Sequence, residues 1–156
     1  MVMKKVLFAA SALLALALAG LGSAQKFSVY TGYPLGLGGM YYFNESLRAD
    51  LTLMVVPGSF GVGGGVDYII GRVPIIKQDP FPVNFYYGAG ASLGYVNILG
   101  TNVMAAGANV FGGVEYRFNQ GFGIFSEFGA GPVFGFYSGG SVFTLDFLGR
   151  FGVNFY

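Results

Sequence analysis

From residue 26 to the last residue, apolar and polar positions alternate with a period of two almost without a break. The clearest run is Leu47–Val55, where Leu47, Ala49, Leu51, Leu53 and Val55 alternate with Arg48, Asp50, Thr52 and Met54. Successive side chains on a strand point to opposite faces, so this pattern predicts a strand with one apolar face. The stretch Gly113–Gly129, GVEYRFNQGFGIFSEFG, holds two such runs. Val114, Tyr116 and Phe118 oppose Glu115 and Arg117; Phe122, Ile124 and Phe128 oppose Glu127. Asn119 and Gln120, followed by Gly121, give a tight polar turn between them, because Asn and Gly accept the positive φ of hairpin turns.

Extended along the chain, the same reading yields eight segments: Lys26–Tyr33, Leu37–Phe43, Leu47–Val55, Phe60–Ile70, Val83–Asn97, Val103–Phe118, Gly121–Phe136 and Val142–Tyr156. Turn chemistry separates them at Pro34, Asn44–Ser46, Pro57–Ser59, Gly100–Asn102, Asn119–Gln120 and Ser138–Ser141. Arg72–Pro82, with three prolines, reads as the longest irregular connection. Every charge inside a segment falls opposite the aromatic and aliphatic set: Lys26, Arg48, Asp50, Asp67, Glu115, Arg117, Glu127, Asp146 and Arg150.

Composition decides which face is wet. The chain is 54% hydrophobic and only 10% charged, whereas soluble domains are nearer a quarter charged. A soluble sandwich built from these strands would have to hide nearly all the large aromatics while Gly, Ser and Asn kept it in solution. A helical membrane protein needs runs of about 20 apolar residues, and only the N-terminus approaches that. Met1–Ala24 reads instead as a signal peptide: Lys4 and Lys5, an Ala/Leu-rich core, then Gly22-Ser23-Ala24. Residues 25–156 would form one domain.

A transmembrane barrel accounts for both faces. Lipid cannot hydrogen-bond free backbone, so a spanning sheet must close on itself, apolar outward and polar inward. The fold expected is all-β, an antiparallel up-and-down transmembrane barrel of eight strands. Eight strands leave an interior that side chains fill, so a plugged centre is expected. Within it Arg48, Asp50, Asp67, Glu115, Arg117, Glu127, Asp146 and Arg150 form the candidate charge network, since buried ions must pair. Tyr41, Phe43, Tyr68, Phe85, Tyr116, Phe118, Phe122 and Phe155 lie beside the turns of one end as candidate membrane-interface aromatics; Tyr33, Phe60, Tyr95, Phe134 and Phe136 lie towards the other.

The signal peptide, the hairpin at Gly113–Gly129, the strand NFYYGAGASLGY from Asn84 to Tyr95 and the closing LGRFGVNFY resemble the small eight-stranded bacterial outer-membrane barrels of the OmpA, OmpX and OmpW kind. The resemblance covers residues 25–156 and implies an outer-membrane location, assembly through the C-terminal strand by the outer-membrane assembly machinery, and a monomer in outer-membrane lipid. It also implies both termini in the periplasm, with the 44–46, 72–82 and 119–120 connections. That family carries its longer loops outside, so the proline-rich connection departs from its pattern.

Little in the sequence suggests chemistry. Gly90–Gly94 fits the G-x-S-x-G elbow, but an elbow needs a strand-to-helix turn and a His base, and the chain has no His. With neither His nor Cys, no soft-metal site is expected. No catalytic residue, cofactor or metal is assigned, and a formal charge of +1 gives no footprint for nucleic acid. Three roles stay open: a structural or surface-interaction barrel, a conduit or binder for small hydrophobic molecules, and a secreted soluble barrel that carries a ligand.

Overall fold

The computed structural model describes residues 26–33, 36–77 and 80–156. The signal-peptide expectation at 1–24 lies outside these. Eight antiparallel strands, β1 (Phe27–Tyr33), β2 (Gly36–Tyr42), β3 (Leu47–Val56), β4 (Ser59–Ile76), β5 (Val83–Ile98), β6 (Thr101–Arg117), β7 (Phe122–Tyr137) and β8 (Gly140–Phe155), close into a barrel in sequence order. Closure is made by β8 against β1, from Phe27 opposite Phe155 to Tyr33 opposite Gly149. The expected all-β, up-and-down antiparallel barrel of eight strands is the observed fold.

The alternation dictates what lies inside. Large apolar side chains on the outer face stay exposed, among them Leu93, Phe128, Leu145 and Phe147. The opposite face converges on a core containing Tyr30, Met40, Tyr42, Ile69, Tyr86, Phe111 and Phe125. Inward glycines admit these rings. A Cβ on Gly38 would stand 2.3 Å from the Tyr30 ring, and one on Gly113 2.5 Å from that of Tyr86.

The two ends differ. Lys26, residues 43–46, 80–82 and 118–121 and Tyr156 share what is here called the lower end, while the upper end carries, among the described residues, two-residue turns at 57–58, 99–100 and 138–139. β1 and β2 have seven residues each against 16 for β8. Consequently Gly140–Leu148 pair with β7 and not with β1.

Two expectations need correction. The stretch from Arg72 is not irregular throughout: β4 continues to Ile76, paired with β5, and only 77–82 connect. The pattern hid this because the register slips between Ile69 and Gly71 and again between Pro74 and Ile76. At the first slip Ile70 is an extra, outward residue, so Arg72 returns to the inner face opposite Tyr86. Pro74 is tolerated because β4 has no β3 partner below Tyr68. The second correction concerns the 113–129 hairpin, whose turn spans 118–121 rather than two residues. Phe118 N–H donates to Phe122 C=O at 2.9 Å, and Asn119 Oδ1 accepts from Gly121 N–H at 2.9 Å.

Candidate functional site

The inner face carries three features stacked along the axis: a buried ion network, a polar cluster below it and a cavity above it. In the network Arg48 is the hub. β3 aims it across the bore, where its Nε and Nη2 donate to Asp67 Oδ2 at 3.1 and 2.9 Å and Nη2 also donates to Glu127 Oε2 at 2.6 Å. Arg150, from β8, bridges the same two carboxylates through Nη1, at 3.0 Å to Asp67 and 3.1 Å to Glu127, and reaches Asp50 through Nη2 at 3.2 Å. A planar guanidinium fork, with five donors in fixed directions, suits several carboxylates at once. Arg48 and Glu127 are fully buried, so desolvation of several kcal/mol per ion is offset only by such multiple pairing.

Aromatic residues complete the network. Tyr86 donates to Glu127 at 3.1 Å and Tyr30 to Asp50 at 3.2 Å. The Arg48 guanidinium lies 4.6 Å from the Phe111 ring centroid, and that of Arg150 5.1 Å from the Tyr30 centroid. These contacts fill the bore at mid-height.

The lower cluster centres on Glu115. It accepts from Lys26 and, at 2.6 Å, from Tyr156 Oη, with Arg72 at 3.6 Å. Burial, then the Glu115 carboxylate, pushes the Tyr156 phenol above its ordinary value. Arg117 pairs with no carboxylate among the described residues. It donates to the carbonyls of Asn119 and Gln120 and lies 4.1 Å from the Tyr156 ring centroid.

Of the eight residues expected to form one network, Arg48, Asp50, Asp67, Glu127 and Arg150 are brought together. Glu115 sits in the lower cluster, Arg117 braces a turn, and Asp146 stands apart in the upper half. Lys26 was on the charged face but outside the expected set. Arg72 was missed because the bulge reverses its face. Alternation places Tyr30 and Tyr86 on the charged face, out of phase with Val29 and Phe85, and they are buried there; what it does not mark is that they hydrogen-bond the buried carboxylates.

The expected interface aromatics make a run of contacts at the lower end. Tyr116 meets Phe118 at 4.7 Å, Phe118 meets Phe122 at 5.6 Å and Phe122 meets Phe155 at 6.1 Å, centroid to centroid. Tyr41 packs edge-on to Phe43 at 5.2 Å. Tyr68 lies opposite Leu47 and Phe85 opposite Val73, both exposed. At the upper end Phe134 meets Phe143 at 4.9 Å.

Above the network lies a cavity of about 230 Å³ lined by small inward residues, including Gly61, Gly63, Gly94, Ala105 and Gly107, with Asp50, Thr52 and Arg150 towards its base. Asn109 and Asp146 also line it. Among the described residues no group of three His, Cys, Asp or Glu side chains is placed to hold a metal ion.

No family model matches the chain, and no curated protein matches it either. Among solved structures the chain is similar to Acinetobacter baumannii CarO, at 13% identity and a TM-score of 0.36 over 84% of this chain and 96% of that one.

Proposed function

We propose that the chain is a small integral barrel of the bacterial outer membrane with a structural or surface-interaction role and no enzymatic activity, its bore blocked at mid-height by the Arg48–Glu127 network. One observation carries this reading: the exposed outer face holds Phe128, Leu145, Phe147 and Leu93, while the ions of the strands turn inward. An aqueous surface of that kind would aggregate, whereas lipid solvates it and a closed sheet leaves no backbone edge for most of its circumference. The soluble carrier needs the opposite sorting and is disfavoured by these exposures.

Fractionation tests the reading. The protein is expected in the outer-membrane fraction, soluble only in detergent, with migration on gels that changes on heating. Leu51→Arg places a charge on the outer face of β3 at a cost of about 2–4 kcal/mol near the bilayer midplane, so the folded, heat-modifiable band should disappear from membranes. Recovery of wild-type chain as a soluble monomer without detergent would overturn the proposal. Single-channel recordings should show no steady conductance, because the guanidinium–carboxylate network fills the bore.

A second reading, a binder for small molecules, is favoured by the cavity above the network.

A further inference from the structure

The upper cavity has an electrostatic imbalance that the network does not explain. Asp50, Asp67 and Glu127 face only Arg48 and Arg150, three formal negative charges against two positive. Asp146 adds a further negative charge to the same cavity and has no cationic partner among the described residues. One of its oxygens accepts from Phe147 N–H at 2.9 Å, and the other has no partner among them.

A second, independent observation points to the same place. Asn109 Oδ1 is buried and accepts no hydrogen bond. A buried acceptor without a donor costs about 1–3 kcal/mol, so it marks a place where a donor from outside the chain would be stabilising. Strand pairing puts the two groups on either side of Gly131, which pairs with Asp146. β6 and β7 approach so closely there that a Cβ on Gly131 would lie 1.8 Å from the Ala108 carbonyl oxygen and 2.7 Å from Asn109 Cα. Thus no side chain separates Asn109 from Asp146.

We infer that the upper cavity binds a small organic cation, a primary ammonium on a short apolar body, whose N–H groups are taken by Asp146 and Asn109 Oδ1. An ammonium carries three donors and no acceptor, which suits two acceptors lacking donors. The apolar body suits the glycine and alanine walls. The cavity of about 230 Å³ holds roughly eight waters at their liquid volume of about 30 Å³ each, so the ligand is small. The absence of any three-carboxylate or imidazole group among the described residues disfavours a bare metal ion.

The inference rests on the binder reading above. It is tested on the detergent-solubilised barrel by titrating n-butylammonium chloride, sodium butyrate and 1-butanol while following the Asn109 side-chain amide and the Gly131 backbone amide by NMR. Butylammonium is expected to shift both resonances saturably, with affinity at least tenfold above butyrate and butanol. Asp146→Asn should weaken butylammonium at least tenfold while heat-modifiable migration is kept, and Glu45→Gln at the opposite end should leave it unchanged. If Asp146→Asn does not refold, Asn109→Ala takes its place, with at least threefold weakening expected. Equal binding of all three probes, or butylammonium binding unaffected by these cavity variants, would overturn the cation while leaving the binder reading. No saturable shift with any probe would overturn both. Neither result bears on membrane location, which fractionation decides.

Discussion

The lower and upper halves of this barrel are built from the same alternating strands and have opposite interiors. At and just below mid-height the inward positions include Tyr42, Arg48, Tyr86, Phe111, Phe125 and Glu127, large buried side chains that close the bore, and beneath them the Glu115 cluster lines a polar cavity of about 460 Å³. Above, they include Gly61, Gly63, Gly94, Ala105 and Gly107, and a cavity results. Backbone closure therefore sets the diameter, and the size of every second residue decides whether the cylinder is a plug or a cup. Charge follows the same division. The lower cavity gathers Lys26, Arg72 and Arg117 with Glu115 and Glu45, whereas carboxylates exceed guanidiniums from the network upward.

The largest way to break this contrast is to remove the hub of the plug. Arg48→Met would leave the buried carboxylates of Asp67 and Glu127 short of a partner, at a cost of about 3–5 kcal/mol. The midpoint of urea unfolding in detergent should fall accordingly, and an unchanged midpoint would mean that the network contributes nothing net. Next comes overfilling. Gly113→Ala pushes a methyl group into the Tyr86 ring and should cost about 1–3 kcal/mol, the usual range for overpacking.

A smaller loss is expected at the lower rim. Tyr156→Phe deletes the bond to the Glu115 carboxylate, worth about 1.5 kcal/mol for a charged acceptor. The raised Tyr156 phenol adds a pH signature. A group that holds its proton more tightly when folded stabilises the fold fully below its unfolded value, near 10, and this contribution is lost as pH rises beyond it. Urea titrations above about pH 10 should therefore show a shallower decline for Tyr156→Phe than for the parent. The smallest effect has the opposite sign. A Cβ on Gly63 or Gly94 meets nothing closer than 3.5 Å, so Gly63→Ala or Gly94→Ala should stabilise by about 0.5 kcal/mol, by restricting the unfolded chain. A loss comparable to that of Gly113→Ala would show that the upper half is as tightly filled as the bore at mid-height.

Much of this architecture was legible in residue order. Strand number and the inward placement of Arg48, Asp50, Asp67, Glu127 and Arg150 follow from period-two alternation, a local property. What escaped depends on neighbours distant in sequence. Whether two inward charges meet is decided by strand stagger, and so Arg117 and Asp146 could not be separated from the network by alternation. The cup was equally hidden, because an inward glycine reads the same whether a Tyr from another strand fills its space, as at Gly38, or nothing does, as at Gly63.

The single extra residue in β4 has a consequence for how such a strand tolerates length change. Inside and outside along a strand are a matter of odd and even counts, yet Asp67 and Arg72, five positions apart, both face the bore. Ile70 is the parity correction between them. Losing this residue would restore plain alternation, leaving Asp67 and Arg72 four positions apart and both still facing the bore, whereas losing a residue elsewhere in β4 with the bulge kept would exchange the faces on one side of the cut. The bulge is therefore a point at which β4 can lose one residue and both halves keep their faces.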